Sequence, residues 1–195
     1  MINVNQIIYA VTFQVGWFIC VKGYNLTALI YTIVVLALHC LHLWWTHNSA
    51  VKNPVSYNKF KLTLTEGAWL FIITSFGVAL ETASFSAGLL YSLAPVAPFK
   101  HLILPPLWLI CLWLLFAMLL RNSLYVLLSK PKVTYLLTLI FVPLNYYSGA
   151  QLNPLVKINT PYFFNLTFIA LMWIIFFACL IPIKNAYFKD LFNDH

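Results

Sequence analysis

Six separated apolar runs, each almost cleared of charge, leave this chain few ways to fold. Charged residues make up 8% of the sequence and hydrophobic ones 63%, whereas an ordinary soluble domain is roughly 25% charged. Hydrocarbon is therefore the expected solvent for most side chains. The runs fall at about 5–22, 26–46, 62–90, 104–128, 133–152 and 162–183. Each is near the ~20 residues a helix needs to cross a bilayer, and too long and uniform for the ~10-residue alternating strands of a membrane barrel. Helices satisfy their own N–H and C=O groups, as hydrocarbon demands. The expected fold is all-α, a polytopic transmembrane helix bundle of about six spans, forming one integral membrane domain over residues 1–195.

The longest polar connection, His47 to Lys61, is too short to fold alone, and no repeat or low-complexity tract divides the chain. The first run lacks a basic leader and a small-x-small cleavage site at Val21, Lys22, Gly23 and Tyr24, so it is read as a span and not as a signal peptide. The net charge of +7 comes from residues at span borders rather than from a basic-aromatic patch, which argues against nucleic acid. Six crossings put both termini on one side, together with Lys52, Lys59, Lys61, Arg121, Lys130, Lys132, Lys184 and Lys189; the other side receives Lys22, Lys100 and Lys157. Because cytoplasmic loops retain Lys and Arg, both termini are expected in the cytoplasm. Trp44, Trp45 and Trp108 suit an interfacial aromatic belt.

Ionisable groups at membrane depth are costly, about 2.5–3.5 kcal/mol each on insertion scales. Glu66 and Arg121 lie at similar depth near the ends of spans 3 and 4, where a structural ion pair is the simplest reading. His39 and His42 share one face of span 2. That spacing is a weak start for a metal or haem site, and a packing role is favoured because no second His-rich box supplies further ligands. No metal and no cofactor are expected. Cys20, Cys40, Cys111 and Cys179 are isolated and read as small buried hydrophobes. Nucleophile elbows, Walker loops, dinucleotide turns and paired hydrolase carboxylates are absent from the sequence.

Span 3 is too long, since about 29 residues make ~43 Å of helix against ~30 Å of hydrocarbon. Two small or polar stripes run along it, Ser75, Ala79, Ala83 and Ala87, and Gly77, Glu81, Ser84 and Gly88. Such faces let helices approach closely, which places span 3 at the bundle centre. Alternatively the helix ends near Leu80 and an apolar loop follows. Glu81 inherits both readings. On the first, it forms an intramembrane polar pocket with Gln14, Asn145 and Tyr146; on the second, it caps a helix end at the interface near Lys22 or Lys100. Pro105-Pro106 should open span 4, Pro143 should kink or interrupt span 5, and Pro182 should end span 6. Asn25-Leu26-Thr27 and Asn165-Leu166-Thr167 match the glycosylation pattern by chance, at or inside the membrane boundary.

Three stretches carry a resemblance: ETASFSAGLL from Glu81 to Leu90, PPLWLICLWLLFAMLL from Pro105 to Leu120 followed by Arg121, Asn122, Ser123 and Leu124, and PLNYYSGA from Pro143 to Ala150. With these, and with Gly16-Trp17 in span 1, the chain resembles over about residues 60–155 an uncharacterised family of small bacterial inner-membrane proteins, catalogued as a domain of unknown function, number 2878. It departs from the family in having Glu81 where an aspartate is frequent, and Asn153-Pro154 where a Gly-Ala pair is. The resemblance implies the bacterial inner membrane and an unassigned activity. The leading expectation is a helper or partner of a membrane or lipid-modifying system, in contact with membrane lipids and another membrane protein. The alternative is a small transporter or lipid-handling enzyme built around Glu81.

Overall fold

The computed structural model describes residues 4–22, 25–49, 59–93, 98–99, 102–188 and 191. The polar connection from His47 to Lys61 falls largely outside them. Among the described residues the chain forms α1 (Val4–Val21), α2 (Asn25–Ser49), α3 (Lys59–Ser86), β1 (Leu90–Ser92), β2 (Pro98–Phe99), β3 (Leu102–Ile103), α4 (Leu107–Asn122), α5 (Tyr125–Leu128), α6 (Pro131–Leu152), β4 (Val156–Ile158) and α7 (Tyr162–Tyr187). The six longer helices follow the six apolar runs. Those over Val4–Val21, Asn25–Trp45, Thr63–Ser86 and Tyr162–Tyr187 are long and apolar enough to cross a membrane, whereas α4 is apolar but shorter.

Helix α3 is a single rod of 28 residues that carries Glu81 well inside it, so it does not end near Leu80. It stops at Gly88, whose φ of 71° is the left-handed region glycine enters without strain. Leu89 N–H there reaches back to Ser84 O at 3.0 Å, the longer bond of a Schellman cap. The two stripes of α3 separate cleanly. Gly77, Glu81 and Ser84 are buried, while Ser75, Ala79, Ala83 and Ala87 are all exposed and Gly88 lies beyond the helix. A carboxyl group at membrane depth is costly unless it faces protein, and the stripe that carries Glu81 is the one turned inward.

The centre belongs to α4 and not, as expected, to α3. Ten of its 16 residues are buried, and it packs against α1, α2 and α3. It begins directly after Pro105-Pro106 and ends at Ser123, so the fourth apolar run is broken before α5 instead of continuing to 128. Trp44 and Trp45 are exposed, as suits a belt, but Trp108 is buried.

Two expectations about proline are narrowed. Helix α6 is not interrupted at Pro143, and α7 does not end at Pro182 but continues to Tyr187. Hydrocarbon favours continued helix over an opened backbone, and Leu180, Ile181 and Lys184 on α7 are still buried there. Short strands were also not foreseen. β1 pairs antiparallel with β4, and β2 with β3. Asn153 organises the first pair: its amide donates to Val21 O and its carbonyl accepts from Leu155 and Val156 N–H, each at 2.7 Å. Of the cysteines, all four are free thiols, Cys20 and Cys111 buried, Cys40 and Cys179 exposed.

α4 packs tightly against α3 at Gly77, where a Cβ would run into the Trp113 indole. Gly67, one α3 face away, has open space around it. Gly77→Ala should therefore cost about 1–3 kcal/mol through overpacking, while Gly67→Ala should be neutral or stabilising by up to about 1 kcal/mol. Unfolding in mixed micelles by a denaturing detergent measures both.

Candidate functional site

Both acidic residues in the described helices lie on α3 and are buried, Glu66 at 3% and Glu81 at 1% exposure. Fifteen residues separate them in sequence, about 22 Å along a helix, and each gathers its own set of partners.

Glu66 joins four helices. Arg121 Nε on α4 donates to one carboxylate oxygen at 3.2 Å, and His39 Nε2 on α2 lies 3.1 Å from the other. His39 Nδ1 in turn lies 2.6 Å from the Tyr9 hydroxyl of α1. The set is fully satisfied when Tyr9 donates to Nδ1 and the Nε2 proton faces Glu66. Both ring nitrogens of His39 are thus engaged by protein, and His42, the other weak metal candidate, is exposed on the same helix. Among the described residues no cluster of three or more His, Cys, Asp or Glu side chains comes together for a metal ion. The structure therefore joins Glu66 and Arg121 and adds two members that spacing alone did not reveal. Rotation about the helix axis, not depth, decides whether a side chain on another helix meets a given carboxylate.

Glu81 is held differently. Trp113 Nε1 of α4 donates to its Oε1 at 3.2 Å, and the Tyr146 hydroxyl of α6 donates to the same oxygen. Trp173 Nε1 of α7 donates to the Tyr146 oxygen at 3.1 Å, and the two indoles stack with centroids 4.6 Å apart. No Lys, Arg or His joins this group among the hydrogen bonds described, and Glu81 Oε2 is buried with no hydrogen-bond partner among the described residues.

Of the four residues expected to make a polar pocket, the structure brings Glu81 and Tyr146 together. Asn145 makes no bond to Glu81: it is exposed, turns its amide back to Phe141 O at 2.8 Å on its own helix, and joins Tyr146 in lining the cavity described below. Gln14 does not join. It is exposed on α1, whose inner face is Gly16, Trp17, Cys20 and Val21. Equal depth was the reason to group it with Glu81, and depth says nothing about which way a helix is turned. Sequence reasoning missed Trp113 and Trp173. Their signal was available: both lie inside apolar runs, away from the interfacial belt where tryptophan is common, and a buried indole N–H seeks a partner.

Trp113, Tyr146 and Trp173 also form part of the wall of a cavity of about 350 Å³. It lies between α4 and α1 on one side and α6 and α7 on the other, lined by Phe13, Trp17, Leu112, Phe116, Phe141 and Phe177 among others. Its volume is in the range of small-molecule sites, roughly 300–1,000 Å³, and its apolar wall with a few convergent polar groups has their character. Glu81 stands behind the aromatic part of this wall and fixes it through two hydrogen bonds.

The Glu66 group reads as structural, since both Glu66 oxygens, both His39 ring nitrogens, the Tyr9 hydroxyl and Arg121 Nε find partners within the protein. Arg121→Met should leave the Glu66 carboxylate with less than its full set of partners and cost about 3–5 kcal/mol. Unfolding in mixed micelles reads that loss, and a change below about 1 kcal/mol would show that the pair carries no weight.

No curated protein and no solved structure matches this chain. A family model does match it, over residues 6–179, a span that takes in α1 to α6 and most of α7 and both buried carboxyl groups. The chain belongs to the family described as Protein of unknown function (DUF2878).

Proposed function

We propose that this chain is a multi-pass protein of the bacterial inner membrane that binds the hydrocarbon chain of a membrane lipid inside its helix bundle. All six longer helices cross the bilayer in this reading, with both termini in the cytoplasm. Four helices with the length and hydropathy of membrane spans support it, as does the excess of Lys and Arg at one set of helix ends. α4 at 16 residues is about 24 Å long, short for a span by itself, and α5 follows it almost at once.

The observation that carries the lipid reading is the cavity. About 350 Å³ of space walled by aliphatic and aromatic side chains is unlike the close-packed interior of a purely structural bundle. Its aromatic wall is held by a carboxyl group, and a buried carboxyl is costly where only packing is required. Handling of a lipid fits this better than a role solely as a helper to another membrane protein, for which the cavity would have no use. The chemistry done on the lipid, transfer or conversion, is outside this proposal.

The test has two arms. A reporter fused to the carboxyl end should be active only in the cytoplasm, and a periplasmic signal would overturn the topology. For the cavity, Thr138 lines it and is buried at 5% exposure, so Thr138→Phe should fill space without removing a charge. After repeated exchange into a neutral maltoside detergent, lipid mass spectrometry should find a retained single species in the native protein and its loss from folded Thr138→Phe. Equal lipid content in the two proteins would overturn the reading.

A further inference from the structure

Two buried polar atoms of the cavity region have no partner among the described residues, and they are of opposite kind. Trp108 is 5% exposed and lines the cavity, and its Nε1 donor is unpaired. Glu81 Oε2 is an unpaired acceptor behind Trp113 and Tyr146. Buried groups of either kind are costly to leave without a bond, and native interiors rarely do so. Of the other polar side chains of the wall, Asn145 is bonded through its amide nitrogen to Phe141 O, which leaves its carbonyl oxygen over. Tyr146 donates to Glu81, Trp173 donates to Tyr146, and the Thr134 and Thr138 hydroxyls donate to backbone carbonyls.

Charge is the second constraint. No Lys, Arg or His is among the described residues lining the cavity, and the ionisable group nearest its polar wall is a carboxyl. A phosphate, sulfate or carboxylate head drawn into this space would lose its water and meet no cation. A hydroxyl carries no charge to desolvate, and it can accept from the Trp108 indole and donate to the Asn145 side-chain oxygen, both of residues that line the cavity.

Access is the third. Phe141 lines the cavity yet is 55% exposed, and the neighbouring Asn145 also lines it and is exposed. The mouth is therefore on the outer face of α6, which in a bilayer opens sideways into lipid. Nearer the C-terminal end of α6, a Cβ at Gly149 would stand 4.0 Å from Trp17 and Val21 of α1, so α1 covers the cavity there.

Resting on the lipid-binding reading above, we infer that the cavity selects a neutral single-chain amphiphile with a hydroxyl head, entering laterally past α6, and rejects anionic lipids of the same chain. The wall itself supplies the probe, because Trp17, Trp108, Trp113 and Trp173 line the cavity. In phosphatidylcholine nanodiscs, with the exposed Trp44 and Trp45 replaced by Phe, tryptophan quenching is titrated with mid-chain brominated octadecanol and with its permanently anionic sulfate ester. The alcohol should quench saturably at a concentration at least about tenfold lower than the sulfate. Asn145→Lys, which puts a cation at the mouth, should close that gap by strengthening sulfate binding. Sulfate binding as tight as the alcohol, or an unchanged gap in folded Asn145→Lys, would overturn the head-group inference while leaving the apolar-chain reading intact. Absence of saturable quenching by either compound would overturn that underlying reading as well.

Discussion

Two carboxyl groups on one helix tie this bundle together. Glu66 draws in Arg121, His39 and Tyr9 from α4, α2 and α1; Glu81 draws in Trp113, Tyr146 and, through Tyr146, Trp173 from α4, α6 and α7. Between them every long helix is bonded to α3 or to a partner of α3. Where lipid tails are as apolar as leucine, burial alone gives helices little reason to choose one neighbour over another. Buried polar groups give that choice, because a misplaced helix leaves a charge or a donor unpaired in hydrocarbon.

The two groups are not equivalent, and in the function proposed above the difference separates framework from site. Around Glu66 both carboxylate oxygens and both ring nitrogens of His39 are bonded, and a guanidinium faces the carboxylate. Around Glu81 there is no described cation, one oxygen is unpaired, and the partners double as the wall of a cavity. Stacked indoles make that wall rigid, and Gly77 lets Trp113 sit against α3 at the distance the arrangement needs. Aromatic side chains held by hydrogen bonds give a preformed surface, which lowers the ordering cost of binding a flexible chain.

Much of the architecture was legible because the solvent dictates it. Long charge-free runs become helices whatever their detailed sequence, and the Pro105-Pro106 start of α4 and the depth match of Glu66 with Arg121 both followed from simple rules. Angular position was not legible. Gln14 has the right depth and the wrong face, while Tyr9 and His39 meet Glu66 only because α1 and α2 happen to turn that way. An apolar helix in lipid shows little contrast between inner and outer faces, so the periodicity that orients a soluble helix is weak here. Pro182 misled for a related reason: in water it would end a helix, whereas in an apolar setting continuing it leaves fewer backbone groups unbonded. Trp113 and Trp173 were hidden among other aromatic residues, and only their distance from the span ends distinguished them.

The central claim is that the space between α4 and α6 is a site for a lipid chain and not a packing defect. A structure of the protein in nanodiscs, made with native lipid and solved by electron cryomicroscopy, tests it directly. The claim predicts elongated density running past Phe116 and Phe141, with its polar end within hydrogen-bonding distance of the Trp108 or Asn145 side chain. Collapse of α6 onto α4 with no enclosed space, or a cavity of the same size holding only ordered water, would contradict it.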